Sequence, residues 1–132
     1  MRGYLELLLS EIPHGREAPY AMQPMTGLWW TLETRLRTQL DQPITLNDLV
    51  RLSGRSAATL ARASHLATGL PPLKRLKQVR LDMARARVMQ TDQTMTQIAA
   101  SLGFPRVHEF SRDYRKQFGI APTHHRQQSQ QT

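Results

Sequence analysis

The side chains best suited to chemistry in this chain are cationic and crowd toward one end. Arg106, His108, Ser111, Arg112 and Arg115 fall within ten residues, on the outward side of a helix whose inward stripe is Phe110, Tyr114 and Phe118. A guanidinium is a planar fork that donates two parallel hydrogen bonds, the geometry offered by the O6/N7 edge of guanine. A phosphate contact or plain solvation is the alternative for Arg112. Catalysis has far less to work with. The five histidines are His14, His65, His108, His124 and His125, and none forms an i, i+4 pair around a glutamate. Adjacent His124 and His125 point to different sides of a helix, so neither a metal nor any other cofactor is expected. No glycine-rich phosphate loop follows a strand and no serine occupies a nucleophile elbow. The absence of cysteine removes disulfides, thiolate metal sites and a cysteine nucleophile. An enzyme is not expected.

The charge is lopsided. Of the 18 basic and 10 acidic residues, residues 1–44 hold four basic and five acidic, which leaves a net +9 on residues 45–132. A field of that sign attracts polyanions, because each phosphate neutralised releases condensed counterions. Charge alone leaves DNA, RNA and anionic lipid open. No apolar run reaches the ~18–20 residues of a membrane-spanning helix. The start, Met1-Arg2-Gly3, lacks a signal peptide's apolar segment, so a cytoplasmic location is expected by default.

Helices must position these groups. Leu28, Leu32, Leu36 and Leu40 recur every four residues up to Pro43. Thr45 reads as an N-cap with Asp48 at the third helical position, opening a short helix with Leu46, Leu49 and Val50 inward and Gly54 as its stop. Another helix runs from about Ser56 to Thr68 and ends at Gly69. Pro71-Pro72 opens a long basic helix, about Leu73 to Gln90, whose seam is Leu76, Val79, Met83 and Ala86. Lys74, Arg75, Lys77, Arg80, Arg85 and Arg87 crowd its remainder, and Lys77 and Arg80 are candidate phosphate contacts. Period-two alternation is nowhere convincing, so the fold class is all-α.

The decisive feature is an internal repeat. Thr94-Met95-Thr96-Gln97-Ile98-Ala99 restates Thr45-Leu46-Asn47-Asp48-Leu49-Val50, and Gly103 restates Gly54. Phe110-Ser111-Arg112 restates Leu60-Ala61-Arg62 after one inserted residue, and Gly119-Ile120-Ala121-Pro122 restates Gly69-Leu70-Pro71-Pro72. Cap, short helix, glycine turn and longer helix make a helix-turn-helix, in which the second helix enters the major groove. Solenoids need about three repeats to bury a core, so two copies fit poorly. In the second unit Met95, Ile98, Ala99 and Leu102 face the aromatic stripe, which reads as core rather than as a base-stacking platform.

Gly103-Phe104 followed by Phe110-Ser111-Arg112-Asp113-Tyr114-Arg115-Lys116-Gln117-Phe118-Gly119-Ile120-Ala121-Pro122 closely resembles the C-terminal signature of the AraC/XylS family of bacterial transcription regulators. Residues 45–69 and the basic helix resemble that family's first helix-turn-helix and connector. The resemblance covers about residues 28–126. It implies seven helices: two helix-turn-helix subdomains (45–69 and 94–119) joined by a connector (73–90), with two recognition helices in successive major-groove segments. It implies duplex DNA as partner, with RNA polymerase as a second where the chain activates. Carried over by position, base-reading sites fall on Ala58, Ala61 and Arg62 in the first unit and on Val107, His108, Ser111 and Arg112 in the second.

Several positions depart from the pattern. Ser64 stands where the family has a core phenylalanine, Leu66 where a basic residue is usual, and Ser53 where the second unit has Leu102. Ala57, Ala58 and Ala61 offer no hydrogen bonds, though alanine can touch a thymine methyl. These changes weaken the expected first unit in both core and selectivity. Pro105 replaces a capping serine at the second recognition helix. Residues 1–27 read as a short helix with Leu5, Leu8, Leu9 and Ile12, then a linker from Pro13 to Pro24. They are either the remnant of an effector or dimerisation domain, the preferred reading, or the start of a short regulator that binds as a monomer. Residues 127–132 read as a frayed polar tail. The rival to sequence-specific regulation is a non-specific basic nucleic-acid-binding or protein-interaction module. In that rival one of Trp29 and Trp30 packs and the other is free for a partner.

Overall fold

The computed structural model describes residues 22–131, and the helix expected around Leu5–Ile12 lies outside them. Seven helices follow in order: α1 (Met22–Leu36), α2 (Leu46–Ser53), α3 (Ala57–Thr68), α4 (Pro72–Gln90), α5 (Met95–Ser101), α6 (Val107–Phe118) and α7 (Pro122–Gln130). There is no strand among the described residues.

Local chemistry sets most boundaries. The Thr45 hydroxyl accepts from the Asp48 N–H while the Asp48 carboxylate accepts from the Thr45 N–H, and Thr94 and Gln97 repeat the exchange at α5. Two orphan donors are satisfied at each start. The Asp48 carboxyl is held below its usual range by these Thr45 bonds and by Arg51. Gly54 and Gly69 end α2 and α3 in the left-handed conformation.

Three boundaries differ from the periodicity reading. Helix α1 begins at Met22, inside the expected linker, with Pro24 in its first turn, where a missing N–H costs nothing. It stops at Leu36, well before Pro43; the Thr38 hydroxyl donates to the Arg35 carbonyl, and Leu40 is buried from a turn rather than from the helix. The polar tail is helical to Gln130, since Arg126 of α7 donates to the Val88 carbonyl at 2.9 Å and caps the end of α4.

There are two cores. Trp29, Leu32, Leu36, Leu40, Leu49 and Leu60 pack on Leu76 and Val79; Ile98, Leu102, Phe110 and Tyr114 pack on Leu81, Ala84 and Val88. Helix α4 therefore carries two apolar faces, roughly 140° apart at 100° per residue, rather than one seam. Ala86, expected in that seam, is exposed, and Leu46 also faces water. Met83 touches both cores.

The small residues of α3 are met by α1, whose Trp29, Leu32 and Leu36 fill the first core. Ser64 is fully buried and donates to the Leu70 carbonyl at 2.6 Å, so its hydroxyl is satisfied. Trp29 packs and Trp30 is 43% exposed, lying 5.6 Å from the Arg75 guanidinium. Beneath them Glu33 is buried; its carboxylate accepts from Arg75 Nε at 2.7 Å and Nη2 at 3.0 Å, from Trp29 Nε1 at 3.1 Å and from Arg37 at 3.1 Å. Burial alone would raise its pKa, but Arg75 above all, with Trp29 and Arg37, holds the carboxyl below its usual value.

Candidate nucleic-acid interface

The two recognition helices are built alike and decorated differently. Helix α3 is capped by the Ser56 hydroxyl, which accepts from the Thr59 N–H. Its Ala57, Ala58, Ala61 and Arg62 all face outward, while Leu60 and Ala63 seal the core. Arg62 is the one long polar group among them.

Helix α6 presents more. Val107, His108 and Arg112 are exposed and Ser111 is half-buried. His108, Ser111, Arg112, Arg115, Lys116 and Ala121 line a single open concavity of about 570 Å³. Four of the expected groups, His108, Ser111, Arg112 and Arg115, thus share one surface with Lys116. Edge-on contacts run beneath them from Phe104 to Phe110 and from Phe110 to Tyr114, at centroid distances of 5.2 and 5.7 Å. Tyr114 shares a 2.8 Å hydrogen bond with His125 of α7, and burial pushes its phenol up to about 12. These aromatics are spent inside, as RNA-stacking residues could not be.

The N-cap of α6 is Arg106, not Pro105; the extra residue in the turn shifts the register by one. Arginine cannot accept, and α6 has no side-chain cap. Arg106 itself extends into solvent, 4.0 Å from Glu109, a pair worth little at such exposure. Arg106→Ser is expected to stabilise the protein by about 1 kcal/mol, seen as a rise of a few degrees in thermal midpoint. An unchanged or lower midpoint would show that the start of α6 has no need of a cap.

The connector's cations are mostly occupied within the protein. Arg80, a candidate phosphate contact, donates to the Leu40 carbonyl at 3.3 Å and the Gln42 carbonyl at 2.9 Å, and burial lowers its pKa. Arg75 is bound to Glu33, Arg85 lies over the Phe118 ring at 5.4 Å, and Arg87 donates to the Ser101 hydroxyl. Lys77 pairs at 3.2 Å with Asp113 of α6, whose other oxygen is 3.5 Å from Arg112 Nε. One carboxylate thus links the connector to the candidate reading arginine. Arg55, Lys74 and Lys116, which the sequence did not mark as phosphate contacts, are exposed cations with no ion pair among the described residues. Only the packing of each neighbour could separate these from the occupied ones. No helix among the described residues is long and apolar enough to cross a membrane.

Comparison with known proteins agrees with this geometry. A family model described as a helix-turn-helix domain matches residues 49–128. The chain is 39% identical over 71 residues to the HTH-type transcriptional activator RhaS of Pectobacterium carotovorum, covering 54% of this chain and 25% of that protein. It is 30% identical over 91 residues to a probable thc operon regulatory protein of Rhodococcus erythropolis, covering 67% of this chain and 27% of that one. The chain thus spans about a quarter of the length of these relatives. A crystal structure of a transcriptional regulator with an AraC-type DNA-binding domain from Chromobacterium violaceum superimposes with a TM-score of 0.73 at 27% identity, over 84% of this chain and 96% of that one. Fold, repeat and relatives converge: the chain belongs to the AraC/XylS family of transcription regulators and carries that family's sequence-specific DNA-binding domain.

Proposed function

We propose that this chain controls transcription by laying α3 and α6 into successive major-groove segments on one face of a duplex, with α6 setting sequence preference. The observation that carries this is the contrast between the two outward faces. Around α6, His108, Ser111, Arg112 and Arg115 share one concavity; α3 shows alanines and Arg62. Connector α4 has 19 residues, a length of roughly 28 Å at 1.5 Å per residue. That is near the ~34 Å turn separating successive groove segments. Arg112 serves as the principal base reader, with His108, Ser111 and Arg115 beside it and Val107 positioned for a thymine methyl. Ala58, Ala61 and Arg62 supply mainly backbone affinity and methyl contacts. Phosphate contacts fall to Lys74, Arg55 and Lys116, with Lys77 shared with Asp113. The DNA-binding unit is residues 22–130, its first helix beginning six residues before the start the sequence suggests. Its working compartment is the cytoplasm, and RNA polymerase is its second partner where it activates.

Selection of bound sequences from a random duplex pool tests the reading. On the selected site Arg112→Ala is expected to cost about 1–3 kcal/mol and to relax preference at one base step. Unchanged affinity and preference would remove α6 from the groove. Equal displacement by RNA and random duplex would favour a non-specific binder instead.

A further inference from the structure

Two helix-turn-helix units on one rod need a second point of contact to hold a fixed orientation. Each unit's core grips its own face of α4, and Met83 alone touches both. A rod by itself leaves each unit able to rock about its own seam. The second contact lies where the turn after α1 meets the glycine turn of the second unit. The Leu40 and Gln42 carbonyl oxygens lie 2.8 and 3.3 Å from where a Cβ on Gly103 would stand, and Arg80 Nε lies 3.4 Å from the same point. Arg80 reaches from the connector and donates to both of those carbonyls. Alongside, Thr38, Leu40 and Asp41 face Arg87, Ser101 and Leu102 across a crevice of about 140 Å³. Arg87 fastens the far wall through Ser101.

From this juxtaposition we infer that Arg80 is a positioning residue which fixes the angle between α3 and α6 and so sets the base-pair spacing the protein accepts. Its fork ties the connector to the first-unit turn by hydrogen bonds, at the place where the glycine turn of the second unit closes against the same carbonyls. It meets neutral carbonyls, which orient it without neutralising it, and with Nε and Nη2 already engaged the half-buried fork is less available to a phosphate. One base pair inserted between the two bound segments moves the second by ~3.4 Å and turns it by roughly 35°. A locked frame cannot follow that movement; a rocking one can.

The inference rests on the two-segment reading above, and its test separates the two. In the wild type, a one-base-pair insertion in the selected site is expected to cost tenfold or more in affinity. In Arg80→Ala that penalty is expected to shrink to about threefold or less, with binding to the α6 segment alone unchanged within about twofold. Arg80→Lys, which can reach one carbonyl at a time, should fall between. Retention of the full spacing penalty by Arg80→Ala would overturn the inference. So would a uniform loss on every site with the salt slope reduced by about one, the mark of a phosphate ligand. The chain has no cysteine, so spin labels on Ala57→Cys and Gln117→Cys report the α3–α6 distance without DNA. A narrow wild-type distribution that broadens in Arg80→Lys supports the joint even if Arg80→Ala does not fold. Equal widths would overturn it. Broadening with no spacing penalty in the wild type would fault the two-segment reading and leave the joint standing.

Discussion

Glu33→Ala is expected to lower the unfolding free energy by about 3–5 kcal/mol, because it strands a half-buried guanidinium rather than deleting a surface pair. Arg75 is only 17% exposed and takes two hydrogen bonds to Glu33 across 42 residues of sequence. Without the carboxylate it keeps Gln78, the face of Trp30 and the charge of Asp82, which is not in salt-bridge contact with it. A domain of this size is stable by about 5–15 kcal/mol in total, so the loss is a large share. Urea unfolding monitored by tryptophan fluorescence would show it as a lower midpoint at constant slope. A change below about 1 kcal/mol would mean that Arg75 finds water and the pair contributes nothing net. The same pair fixes the response to acid. The folded-state pKa of Glu33 lies below the ordinary value of 4.5. Its contribution is therefore complete above about pH 4.5 and is lost as the pH falls through the lower folded-state value. Glu33→Gln should be less stable near neutrality and less sensitive to acid than the wild type.

Gly103→Ala is the second large effect, expected at about 2–4 kcal/mol. Gly103 has φ +77, a region that costs an L side chain roughly 1–2 kcal/mol. The new Cβ would also stand 2.8 Å from the Leu40 carbonyl oxygen, a backbone atom held in place by Arg80. Gly54 supplies the control: it has φ +69 and nothing within 4 Å of its Cβ position. Gly54→Ala should cost only the backbone part. Equal thermal midpoints for the two variants would show that the joint around Gly103 yields without strain.

Most of the architecture was legible because it rests on short-range chemistry. Thr45 with Asp48 and Thr94 with Gln97 announce helix starts three residues apart, and the repeat of glycines at 54 and 103 announces the turns. The aromatic stripe Phe110, Tyr114, Phe118 fixed which side of α6 is free, and all the groups named on the other side do reach the surface. What was hidden depends on which neighbour arrives. A single-seam reading of α4 failed at Ala86, since a helix gripped by two cores has no common apolar face. Arg80 and Lys77 have the composition of phosphate ligands, yet a turn 40 residues away takes one and Asp113 pairs with the other. The cap of α6 was misplaced by one residue because an insertion inside a turn leaves no periodic trace. Ser64 read as a defect, and only the Leu70 carbonyl explains why it is tolerated.

The two faces of α4 have a consequence for how this chain can change in length. One residue added to the turn after Gly103 is absorbed locally, as the longer second turn of this very protein demonstrates. One residue added between Val79 and Leu81 would rotate everything downstream by about 100° and advance it by 1.5 Å. Leu81, Ala84 and Val88 would swing off the second core, and Arg126 would lose the carbonyl it caps. Turns can drift in length by single residues here; the connector cannot, and any viable revision of it must come in whole turns or not at all.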